Sequence, residues 1–93
     1  MIVGVLTVRG VLRGSYSLKD KRRVLKSLKD QVHNKFNVSI AETEDQDELQ
    51  MAELGVAVVG TDTPFVYSVL SNVEKFIRFF HGFEVTDVET EVF

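Results

Sequence analysis

Hydrophobic and polar positions alternate from the first residue. Ile2, Gly4, Leu6, Val8, Gly10 and Leu12 share one face of an extended segment, and Val3, Val5, Thr7, Arg9, Val11 and Arg13 share the other. This period of two predicts a β-strand over residues 1–13, and a central one, because neither face is polar at its start. Gly14-Ser15 then turns the chain. At Ser17 the period changes. With about 100° per residue, Leu18, Val24, Leu25, Leu28, Val32 and Phe36 fall on one stripe of a helix that Ser17 caps, with Asp20 three residues on in a short-armed capping box. Lys21 falls on that same apolar stripe, so its ammonium has to snorkel out or meet a carboxylate. Arg22, Lys26, Lys29 and His33 form a row on one flank, with Lys19, Arg23 and Asp30 further round.

Alternation returns over residues 37–43, a second strand. The acidic turn Glu44-Asp45-Gln46-Asp47-Glu48 follows, and then AELGVAVVG, residues 52–60, apolar on both sides and therefore another central strand. Thr63-Pro64 supplies an N-cap and a proline at the first helical position. Val66, Val69, Leu70, Val73, Ile77 and Phe80 give the second helix its inner stripe to about His81, with Gly82 as C-cap. Residues 83–93 make a last strand, whose acids Glu84, Asp87, Glu89 and Glu91 suit an edge in contact with water. The order β-α-β-β-α-β predicts an α+β, ferredoxin-like sandwich: one antiparallel four-stranded sheet with two helices on one face. A single domain spans 1–93. The other sheet face, with Val3 and Val5 on it, is left bare, which predicts either self-association or a small-ligand regulatory module there, with a homodimer through the open face preferred.

Composition narrows the setting. Apolar residues make up 44% of the chain and mean hydropathy is +0.02, values of a water-soluble domain. No apolar run approaches the roughly 20 residues that span a bilayer, and the start lacks a basic, cleavable leader. Cysteine is absent, which excludes disulfides, thiolate zinc sites and a thiol nucleophile. These features fit the cytoplasm and no membrane contact. The net charge of −3 conceals an asymmetry: residues 1–35 hold nine Lys/Arg and two Asp/Glu, and residues 36–93 hold two and twelve. Either the halves interleave and neutralise one another, or a basic face stands on an acidic body.

Candidate chemistry follows from that charge. Arg9, Arg13, Lys19, Arg22, Arg23, Lys26 and Lys29 are cations that phosphates or an acidic partner would meet. A solvated helix face is the plain alternative. All nine aromatics (seven Phe, two Tyr) miss the first and third strands, so the base stacking that this fold can perform on its sheet is not expected. Phe79, off the second helix's stripe, either marks a partner surface with Phe65 and Phe76 or packs under a loop. No catalytic set is complete. The segment 8–14 loosely echoes an acylphosphatase phosphate loop, but the arginine and asparagine that such an enzyme needs are missing. His33 and His81 have no ligand spacing, the serines have no base, and no cofactor or metal is expected. The expectation is a protein that is not an enzyme.

The segments MIVGVL, SLKDKRRVL (residues 17–25), FNVSIAE (36–42), Gln46-Asp47 and LGVAVV (54–59) together resemble the YlxP-like family of small bacterial proteins, over the whole chain. The resemblance implies a ferredoxin-like fold and no established catalytic residues. Genes of that family commonly lie beside those of translation and ribosome maturation. The resemblance thus implies an accessory role there, with RNA or a ribosomal component as partner. Relatives often carry tryptophan where Leu49 stands. The polar positions shared with the family, Lys21, Glu42 and Asp47, are expected to meet as an ion cluster that fixes the helix start.

Overall fold

The alternation of the first strand decides which way every other element faces. In the computed structural model, which describes residues 1–93, this strand is β1, Ile2–Val11. It pairs antiparallel with β3, Met51–Gly60, in unbroken register from Ile2↔Gly60 to Val11↔Met51. On its other side it pairs antiparallel with β4, Glu84–Val92, with a register shift between Arg9 and Gly10. The short strand β2, Ser39–Glu44, closes the sheet beyond β3, in the order β2-β3-β1-β4. Two helices, α1 (Leu18–Lys35) and α2 (Thr63–Phe79), make the crossovers that place β1 and β3 centrally. The chain is the ferredoxin-like α+β sandwich that its pattern predicts. No helix is long and apolar enough to cross a membrane.

One continuous core lies between sheet and helices. Leu6 and Val8 of β1 and Leu54 and Val56 of β3 meet Leu25, Leu28 and Val32 of α1 and Val66, Leu70, Val73 and Ile77 of α2. Each such side chain contributes on the order of 1.5–3 kcal/mol by leaving water. Both helices keep the 3.6-residue stripe that points them at this core.

The helix ends differ in detail from expectation. Ser17 Oγ accepts the Asp20 N–H at 3.0 Å, as a capping residue should. The Asp20 carboxylate, however, reaches past Ser17 and accepts the Tyr16 N–H at 3.3 Å. At α2 the cap is Asp62, one residue before Thr63; its Oδ1 accepts the Phe65 N–H at 2.8 Å, and Thr63-Pro64 begins the helix proper. This helix stops at Phe79. Phe80 is already extended with ψ 128°, and Gly82 turns the chain toward β4 at φ 104°, a conformation that favours glycine.

The face turned away from the helices carries Val3, Val5, Thr7 and Arg9 of β1, beside Met51, Glu53, Gly55, Ala57 and Val59 of β3. Val59 is 60% exposed and Phe93, opposite Val3, is 69% exposed. On the inner face, Gly10 is a site of close approach. A Cβ there would strike the Phe83 ring and lie 2.7 Å from the Glu84 carbonyl oxygen, which belongs to backbone and cannot swing away. Gly10→Ala is therefore expected to lower unfolding free energy by about 1–3 kcal/mol in urea denaturation. An unchanged midpoint would contradict this close approach at Gly10.

Candidate functional site

Lys21 sits one turn into α1, on the buried stripe, and is 1% exposed. Its four-carbon stem fills core volume beside Leu25. Its ammonium emerges under the loop between β2 and β3, where it donates to the Asp45 carbonyl at 2.5 Å and the Glu48 carbonyl at 2.7 Å. Glu42 Oε2 lies 2.9 Å away as an ion-pair partner at a poor hydrogen-bonding angle, and has no other donor. The ammonium thus makes two hydrogen bonds to backbone carbonyls and one ion pair to a carboxylate. The loop backbone bends to present those carbonyls. Asp45 adopts φ 63°, and the Glu48 N–H closes back on its carbonyl at 3.0 Å. Of the three residues expected to cluster, the structure brings Lys21 and Glu42 together. Asp47 remains exposed and contributes no contact, because backbone carbonyls on either side of it occupy the place its carboxylate would take.

The seven expected cations do not form one surface. Arg9 projects from the open sheet face, opposite the helices, as its place in the alternation requires. There it meets Glu53 at 3.0 Å, Asp87 at 2.6 Å and Glu89 at 3.5 Å. The hydrogen bond to Asp87, with the charges of Glu53 and Glu89, holds its proton more tightly than usual despite some desolvation. Glu53, 9% exposed, also accepts from Thr43 Oγ1 at 2.7 Å. Sequence reasoning missed Glu53 and Thr43; the signal was that Glu53 lies directly across from Arg9 once the register is known. Arg13 pairs with Glu84 at 2.5 Å, and that hydrogen bond raises the arginine's pKa and lowers the glutamate's.

The helix cations are different. Lys26 reaches Asp30 at 2.7 Å in an exposed i,i+4 pair, and the hydrogen bond from Lys26 pulls the Asp30 carboxyl below its usual range. An exposed pair of this kind exchanges readily for another anion. Lys19, Arg22, Arg23 and Lys29 have no carboxylate within ion-pair distance. Since Lys21 points inward, helical geometry turns Lys19, Arg22 and Arg23 toward solvent, and Lys29 is half-buried. Phe79 is 89% exposed and lies under no loop, while Phe76 packs edge-on against Phe36 at 5.9 Å. No group of three or more His, Cys, Asp or Glu is arranged to hold a metal ion.

Removing the buried ammonium would leave the Glu48 carbonyl without its lysine donor, the Asp45 carbonyl with only the Glu48 N–H, and the mostly buried Glu42 carboxylate without its counter-charge. Lys21→Met is expected to destabilise by about 2–4 kcal/mol in urea denaturation. Adding Glu42→Gln should recover part of that loss by removing the stranded charge. A loss below about 1 kcal/mol for the single variant would overturn the structural role assigned to Lys21.

Comparison with known proteins agrees with this fold and assigns no chemistry to it. The chain is 37% identical over 92 residues to "Uncharacterized protein YlxP" of Bacillus subtilis (strain 168), covering 99% of this chain and 100% of that one. Among solved structures it is similar to the "De novo designed protein Foldit4", with a TM-score of 0.55 at 14% identity, covering 100% of this chain and 97% of the other, a likeness of fold alone. The model of the protein family of unknown function DUF503 matches residues 3–90, and with the full-length similarity to YlxP this shows that the chain belongs to that family.

Proposed function

We propose that this protein is a non-enzymatic, cytoplasmic accessory factor that docks on RNA, free or within the ribosome, through the outward face of α1. One observation carries the reading: Lys19, Arg22, Arg23 and Lys29 stand on α1 with no carboxylate of their own chain within ion-pair distance. No ion pair within the chain accounts for them, and Lys19, in the first turn, also opposes the helix macrodipole. A phosphate backbone supplies the missing anions, and its affinity comes from counterion release. The family resemblance adds the setting, translation or ribosome maturation.

Binding to RNA is expected to weaken steeply with salt, with a logarithmic slope of about −3 for four to five phosphate contacts on a single strand. Arg22→Ala/Arg23→Ala/Lys26→Ala should abolish binding near physiological salt and flatten the slope by about two units, read by fluorescence anisotropy. Flat salt dependence in the unmodified protein would sink the proposal.

A second reading has its own observation. The open sheet face exposes Val59 at 60%, Met51 at 52% and Phe93 at 69%, with Val3 and Val5 half-buried beside them, and apolar surface of this kind favours a homodimer. Light scattering should then give about twice the 10.5 kDa of one chain, and Val59→Glu should return the protein to monomer. A monomer at millimolar concentration would remove this reading.

A further inference from the structure

Helices α1 and α2 lie side by side on the sheet, and a trough runs along the outer side of their seam. It comprises two open depressions of about 440 and 430 Å³, separated by Phe76 and Phe79, which line both. Lys35, Lys75, Asn72 and Phe36 complete the first; Ser27, Gln31, Phe80 and His81 complete the second. No carboxylate lines either one, in a chain that holds 14 Asp and Glu. Lys35 Nζ stands 5.1 Å from the centre of the Phe76 ring and 5.9 Å from that of Phe36, so its charge is held at one end of the trough.

Along α1, residues 23, 27, 31 and 35 are each one turn apart on one face. Arg23 and Lys35 therefore bracket the Ser27–Gln31 hydrogen bond of 3.1 Å over a length of about 18 Å. Phe79 rises beside the middle of this row, 89% exposed and free to stack. Lysines at one end, Arg23 one turn beyond the other, a bare aromatic ring between them, and amides on both walls make a set suited to unpaired bases and their phosphates. A duplex keeps its bases stacked inside and would leave Phe79 idle.

We infer that the α1–α2 trough binds single-stranded RNA, stacking one base on Phe79 while Arg23, Lys35 and Lys75 meet the adjoining phosphates. This rests on the proposed function and deepens it, moving recognition to the helix layer of the fold instead of its sheet. Ser27, Gln31 and Asn72 offer donors and acceptors to ribose hydroxyls as well as to base edges, which favours RNA over DNA.

The test is fluorescence anisotropy with a labelled ten-nucleotide RNA, the same RNA annealed to its complement, the matching DNA strand, and an acidic peptide of equal charge. Phe79→Ala should weaken binding of the single strand on the order of ten-fold, with an unchanged salt slope and unchanged binding of the duplex. Because Phe79 is so exposed, its replacement leaves the fold intact. The chain has no tryptophan, so Phe79→Trp gives a lone indole whose emission should be quenched by RNA while affinity is kept. If the RNA binds equally well to Phe79→Ala, the trough is not the site and the basic-helix reading survives without it. If the unmodified protein binds no RNA, both fall. Equal or tighter binding of the DNA strand, or tighter Phe79-dependent binding of the acidic peptide, would overturn RNA as the occupant.

Discussion

The burial of one ammonium group sets the register of this molecule. An ammonium taken out of water costs several kcal/mol unless oxygen surrounds it, and Lys21 finds that oxygen only where the β2–β3 loop folds over the first turn of α1. The helix start, the end of β2 and the left-handed Asp45 are thus positioned together, each by the others. The contact also fixes the rotation of α1 about its axis. With Lys21 inward, the basic residues around it have no direction left but outward, so a buried charge determines where the exposed ones stand.

The division of charge along the chain acquires a spatial meaning from this. Both arginines near β1 are neutralised by the acidic half of the chain, Arg9 by Glu53, Asp87 and Glu89 and Arg13 by Glu84. Interleaving of the two halves accounts for them fully. It does not account for α1, whose outer face no acidic strand reaches. The sheet side is therefore acidic around one satisfied arginine, and the helix side is basic with charges unmet. Opposite faces of a domain this small thus carry opposite charge, and any anion approaching it would be steered to the helices.

Periodicity made most of the fold legible. The two-residue and 3.6-residue patterns placed all six elements and predicted which face of β1 the helices cover. Boundaries failed where a stronger local signal lay beside the true one: Thr63-Pro64 drew attention from Asp62, and Gly82 suggested a helix two residues longer than α2 is. The Lys21 cluster was half legible. A lysine on an apolar stripe announces a buried partner, but two of its partners are backbone carbonyls, and side-chain patterns carry no trace of those. Nearness in sequence grouped Arg9 with the helix cations, whereas alternation had already put it on the other face. The trough was the least legible feature, since its walls come from helices more than thirty residues apart. Only Phe79, an aromatic off its helix's stripe, hinted at it.

Topology of this kind needs nothing beyond patterning and turns, so the fold by itself implies no activity. Function has to be sought in what the fold does not require. The buried lysine, the unpaired cations of α1 and the bare ring of Phe79 are three such departures. The first is explained by stability, because it ties a loop to a helix. The other two form no ion pair or core contact, and Lys19, in the first turn of α1, opposes the helix dipole. Both lie on the helix layer, and residues 23 to 35 of α1 run from one to the other. Two unforced features that share a helix are better explained by one ligand that uses both than by two separate accidents of surface.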